Sequence, residues 1–104
     1  MYSLKVSQDF HDDVKSTINY IKNILKNPAA AERMKDQIKI KNNKINENPF
    51  VYPAVPNEYL ASKGYRFALV NNFMIFYKVI EQHIDIIRFI YGPRDWISIL
   101  INMD

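Results

Sequence analysis

Six side chains in the second half of the chain have the chemistry to handle a phosphate: Lys63, Arg66, Lys78, Arg88, Tyr91 and Arg94. Arginines stabilise the crowded charge of a pentacovalent phosphate, and a tyrosine, lysine or histidine moves protons, so such a set would suit phosphodiester cleavage. Arg66, Tyr91 and Arg94 are the candidates for catalysis. Each cation or ring also has a plain structural use. Arg88 suits an ion pair inside a sheet with a helix carboxylate such as Asp13, Arg94 suits a cap beside Asp95, and Tyr91 suits packing. Other chemistry is missing. With two glycines, Gly64 and Gly92, there is no glycine-rich phosphate loop, and neither HExxH nor GxSxG occurs. His11 and His83 stand far apart and read as exposed polar residues, so no metal site and no cofactor are expected.

These residues belong to a stretch that reads as three strands, Tyr65–Val70, Phe73–Ile80 and His83–Tyr91, each rich in β-branched and aromatic types. Asn71-Asn72 tolerates positive φ and suits a hairpin turn, with Glu81-Gln82 as a second turn of weaker chemistry. Gly92-Pro93 ends the third strand. If both turns are two-residue loops, Ile75, Tyr77, Val79, Ile84, Ile86, Arg88 and Ile90 share one face. Met74, Phe76, Lys78, Asp85, Ile87, Phe89 and Tyr91 then share the other, with Lys78 opposite Asp85. Both faces are apolar, so both need cover.

The rest of the chain supplies it. Tyr2–Val6 alternates as a strand and should join the same sheet. Ser7 or Asp9 caps a helix whose apolar stripe is Phe10, Val14, Ile18, Ile21 and Leu25. Asn27-Pro28 ends it and Pro28 opens a second helix, Ala29 to about Asn46, with Ala31, Met34, Ile38 and Ile45 inward. The short connection implies an antiparallel hairpin over one sheet face. The outer side of the second helix is basic (Arg33, Lys35, Lys39, Lys41, Lys44). It reads as a solvated face, and no aromatic interleaves with these lysines to make a base-stacking platform. Asn48 to Lys63 is a proline-bearing loop with Phe50, Val51 and Tyr52 tucked under it and a helical turn at Tyr59 and Leu60. Trp96–Ile101 is a short last helix.

The chain of 104 residues is expected to form one domain, residues 1–104, with a single α+β fold. It has no cysteine and thus no disulfide or thiolate metal site. No run is long enough to span a bilayer and no leader is seen, so a cytoplasmic location without membrane association is expected. A net charge of +3 permits an acidic partner without requiring one.

The ordered set Tyr52-Pro53, Glu58-Tyr59-Leu60, Gly64-Tyr65-Arg66, Asn72 to Val79 and Ile86 to Trp96 resembles the RelE/ParE superfamily of bacterial toxins over nearly the whole chain. The resemblance implies an N-terminal strand, a two-helix hairpin, a three-stranded antiparallel meander and a short C-terminal helix. It also implies a toxin of a type II toxin–antitoxin module, neutralised by a cognate antitoxin. RelE-like members cut messenger RNA on the ribosome, and ParE-like members inhibit DNA gyrase. RelE-like proteins typically carry an arginine where this chain has Met74, and a tyrosine or histidine in the C-terminal segment, where this chain has neither. The Gly92-Pro93-Arg94-Asp95-Trp96 ending resembles the ParE and plasmid-stabilisation side. The resemblance therefore implies gyrase inhibition, with ribosome-dependent mRNA cleavage as the alternative. Arg94 and Trp96 are the expected target contacts. Met74, Phe76, Ile87 and Phe89 are expected to form a patch covered partly by the C-terminal segment and partly by the antitoxin.

Overall fold

The computed structural model describes residues 2–103. Its elements run β1 (Ser3–Val6), α1 (Gln8–Asn19), a π turn (Tyr20–Ile24), α2 (Pro28–Glu47), α3 (Glu58–Ser62), β2 (Tyr65–Val70), β3 (Phe73–Ile80), β4 (His83–Tyr91) and α4 (Trp96–Met103). The α+β fold and its order match the expectation. The sheet order is β1-β4-β3-β2. β2, β3 and β4 form the antiparallel meander, and β1 joins β4 in parallel as an edge. Both turns are two-residue loops, since Val70 pairs with Phe73 and Ile80 with His83. Their first residues, Asn71 and Glu81, take φ of 52° and 55°, the left-handed region that asparagine accepts more readily than glutamate. Lys78 lies opposite Asp85 as expected.

One correction reaches into the core. The β3–β4 ladder shifts by one residue between Phe76 and Tyr77: Tyr77 faces Ile86 but Phe76 faces Arg88, so Ile87 is the extra residue of a β-bulge. A one-residue shift reverses the faces beyond it. Phe89 therefore packs with Ile75, Tyr77 and Ile86 under the helical hairpin, and Ile90 packs with Met74 and Phe76 on the opposite face. The strict alternation of the sequence reading placed these two the other way round.

Ser7 caps α1, accepting from the Phe10 N–H. The inward set of α2 is the expected one, Ala31, Met34, Ile38 and Ile45, all buried. The expected stripe of α1 fails at its end. Leu25 N–H bonds to Tyr20 O, an i→i+5 closure, so the coil widens. Phe10 and Ile18 are buried and Val14 and Ile21 partly so, but Leu25 is 56% exposed and Ile24 68%. Lys26 then turns with φ of 52°, and Asn27 caps α2. The second sheet face has its own core, in which Val55, Leu60, Tyr65, Met74, Phe76, Ile90 and Leu100 bury one another beneath α3 and α4.

Candidate functional site

On the outer edge of β4, the side away from β3, no strand follows β1 past Val6 among the described residues, yet the backbone there is not left bare. Ser7 N–H donates to Ile86 O (2.9 Å) and the Ser7 hydroxyl to Ile87 O (2.6 Å). Asp13 Oδ2 accepts the Phe89 N–H (3.0 Å). The same carboxylate takes a two-pronged ion pair from Arg88, Nε to Oδ2 at 2.7 Å and Nη2 to Oδ1 at 3.0 Å. This is the ion pair expected from the sequence. The hydrogen bond to Asp13 holds the Arg88 guanidinium above its usual pKa against the opposing effect of burial. Arg88 is thus committed to structure.

The three catalytic candidates do not converge. Arg66 lies opposite Tyr77 and Tyr91 opposite Phe73, two strands apart and offset by four residues, or roughly 13 Å, along the strand direction. Arg66 Nε donates to Tyr52 O at 2.8 Å, on the helix-covered face as expected. Tyr91 is 42% exposed and packs beside Phe73. Arg94 is exposed in the turn before α4, and among the described residues its side chain has no ion-pair partner. His11 and His83 are exposed, and His83 Nδ1 meets the Ser3 hydroxyl at 2.7 Å. Among the described residues no group of three metal-ligating side chains comes together.

The four residues expected to share one patch do not share one face. Met74 and Phe76 are buried under α4, with the Trp96 ring 5.2 Å from that of Phe76, and Ile87 packs into the same cluster. Phe89 lies on the other face, sent there by the bulge. α3, the loop residue Val55 and the apolar α4 together cover this face, so these four residues do not form an open surface. Trp96 is half-buried and anchors α4. Asp95 caps it: its Oδ1 accepts the Ser98 N–H at 3.2 Å, and the Ser98 side chain together with that N–H holds the Asp95 carboxyl below the usual range.

A groove lies elsewhere, over the edge of the helical core, with Val14 partly exposed and Phe10, Ile18 and Ile38 buried at its floor. It lies between α1 and α2 and measures about 560 Å³. Its apolar lining is Phe10, Val14, Ile18 and Ile38, and His11, Lys15, Lys35 and Lys39 also line it, with Asn19, Asn42 and Asn43 and no carboxylate. Sequence reasoning missed this groove. One signal was available: Asn42 occupies the position between Ile38 and Ile45 where the inward stripe calls for an apolar residue, and its Oδ1 is buried without a partner.

The loop after α2 gives a second correction. Aromatic residues do stand beside the α2 lysines, because the loop folds back against them. Lys41 Nζ lies 5.3 Å from the Tyr52 ring centroid, and the Arg66 guanidinium lies 5.2 Å from that of Phe50. Tyr52 is partly buried, but Phe50 and Val51 are 54% and 50% exposed, not tucked under the loop.

A meander sheet clasped between a helical hairpin and a short C-terminal helix, with its cations spread over the rim, is the frame of a small toxin of the RelE/ParE kind. Within that superfamily the chain belongs to the family of ParE toxins of type II toxin–antitoxin systems, parDE, whose model matches residues 4–96. Solved structures share the fold. A chain of the chromosomal ParDE TA system from P. aeruginosa superposes with a TM-score of 0.70 at 19% identity, covering 88% of this chain and 96% of that one. YafQ from E. coli strain BL21(DE3) gives 0.54 at 20% identity, covering 88% and 93%. The E. coli DinJ-YafQ complex gives 0.54 at 20% identity with the same coverage. A comparison with curated proteins finds no match. No helix is long and apolar enough to cross a membrane among the described residues.

Proposed function

We propose that this ParE-family toxin stops growth in the cytoplasm by binding DNA gyrase, without cutting RNA. The observation that carries this reading is the scattering of the phosphate-handling groups. Arg88 is tied to Asp13, Arg66 to the loop, and Tyr91 stands far from Arg66. Position 74 holds a buried methionine, and α4 contains no tyrosine or histidine. A nuclease must both stabilise phosphate charge and move protons at two oxygens, and losing one such group costs on the order of a hundredfold. Arg94 is the exposed target contact, presented by the α4 start that Trp96 anchors.

The cognate antitoxin is proposed to seat an amphipathic helix in the α1–α2 groove. Its apolar side would cover Val14 and Ile18, and acidic residues would meet Lys15, Lys35 and Lys39. The test is induction of the toxin with primer extension on a translated message and, in parallel, a gyrase supercoiling assay with the purified chain. Lost supercoiling with intact message is the expected result. Codon-position cleavage with normal supercoiling would overturn the reading in favour of a ribosome-dependent endonuclease.

A further inference from the structure

The turn after α2 holds a large aromatic side chain out in solvent on a rigid support. Asn48 Oδ1 accepts the Phe50 N–H at 3.1 Å, and Asn48 O accepts the Val51 N–H at 3.1 Å. Pro49 is buried, and its carbonyl accepts the hydroxyl of the buried Tyr77 at 2.7 Å. The Phe50 ring has Arg66 over it and Tyr2 edge-on with centroids 6.3 Å apart, yet the residue stays 54% exposed. Three backbone groups of the turn, the Pro49 carbonyl and the Phe50 and Val51 N–H groups, are hydrogen-bonded, so the turn that presents Phe50 is ordered. Hydrophobic burial would favour the opposite placement.

Cations gather at this turn, and the one acid on the same flank of α2, Glu47, follows Lys44 at the next i+3 position. Lys41 and Arg66 lie against aromatic faces, and Lys44 follows Lys41 at the i+3 position on the same flank of α2. Among the described residues none of the three has a carboxylate partner. A partner that fits must bring a flat ring for Phe50 and negative charge at short spacing for the cations. An acidic protein segment supplies the charge but no run of rings, and a duplex keeps its bases stacked inside. A single strand supplies both, since every base has a π face and every nucleotide a phosphate.

We propose that Phe50, Tyr52, Lys41, Lys44 and Arg66 form a binding surface for single-stranded nucleic acid, with a base stacked on Phe50 and phosphates against the cations. The surface reads no sequence, because stacking and charge are blind to base identity. It is separate from the α1–α2 groove and from Arg94, and it does not depend on the gyrase reading.

The test is fluorescence anisotropy of a labelled mixed-sequence single-stranded oligonucleotide titrated with the purified full chain at several salt concentrations. Binding should weaken steadily as salt rises. Phe50→Ala should weaken it about tenfold, within the range for loss of one stacked base. Phe50→Trp should retain binding, and Phe50→Leu, apolar but unable to stack, should lose it. Lys41→Gln should make the log–log salt slope shallower by about 0.7. Circular dichroism establishes that each variant is folded. Absence of binding by the folded wild-type chain at low salt would overturn the proposal. So would equal affinity of wild type, Phe50→Ala and Phe50→Leu. Loss of antitoxin affinity in Phe50→Ala with oligonucleotide binding unchanged would assign the surface to a protein partner instead.

Discussion

Asp13→Ala should be among the most damaging single substitutions outside the apolar core. Asp13 accepts from Arg88 Nε, Arg88 Nη2 and the Phe89 N–H. Removing it leaves a cation and a strand N–H without partners at the point where β1 has already ended. Breaking a fully buried ion pair costs about 3–5 kcal/mol. Here the two side chains retain 18% and 17% of their exposure, so water recovers part of that loss. An unpaired backbone N–H adds about 1 kcal/mol. The expected total is about 3 kcal/mol, a large share of a small domain's stability. At 4–8 °C per kcal/mol it corresponds to a Tm lower by roughly 12–24 °C. Urea unfolding followed by far-UV circular dichroism should show a lower midpoint at unchanged m. Asp13→Asn, which keeps one acceptor and removes the charge, should fall between. In a double-mutant cycle with Arg88→Met, the coupling should exceed about 1 kcal/mol. If Asp13→Ala lies within about 0.5 kcal/mol of wild type, water satisfies this edge of β4 and the account of its closure is wrong.

The π turn and the sheet core give a contrasting pair. Ile86→Ala, at a position with no exposure, should cost about 2–5 kcal/mol, whereas exposed Leu25→Ala should stay within about 0.5 kcal/mol in the same urea experiment. Gly64 has φ of 94°, and a Cβ there would stand 2.6 Å from Val79 O. Gly64→Ala should therefore cost about 1–3 kcal/mol, visible as a lower Tm, and a wild-type Tm would refute the strain. The Asp95 carboxyl is held low by Ser98, so its contribution is present above the ordinary carboxyl value of 3.8 and is lost as pH falls through the depressed one. Wild type should then be the more stable protein at neutral pH, and its advantage over Asp95→Asn should close in acid. A constant difference across a pH series of thermal melts would contradict this.

The meander was legible because its strands are dense in β-branched and aromatic residues and its turns hold the pairs that fix register. Arg88 and Asp13 were legible because a cation within an apolar strand needs a carboxylate from a neighbouring element. The bulge at Ile87 was not, since no glycine or proline marks it, and the run Ile84 to Tyr91 looks equally good in either phase. That one hidden residue moved Phe89 and Ile90 between cores and took Phe89 out of the set expected with Met74 and Phe76. Leu25 was misplaced for a related reason: its spacing obeys the α period, and nothing in the residue types announces a wider coil. The groove depends on how two helices are spaced, which periodicity does not encode. The pairing of Phe50 and Tyr52 with Arg66 and Lys41 depends on how a proline-bearing loop closes.

The π turn at Tyr20–Ile24 also bears on how this protein tolerates change. A single wide turn is what an α-helix forms when it holds one residue more than its hydrogen-bonding needs, with the coil on either side undisturbed. Losing one residue between Tyr20 and Ile24 would return the coil to α bonding while Phe10 and Ile18 below, and Asn27 and Pro28 beyond, kept their places. The hairpin tip therefore acts as a length buffer. Insertions and deletions there alter what Tyr20, Ile24 and Leu25 present to the outside, with partly buried Ile21 the one side chain of the turn whose core contact must adjust.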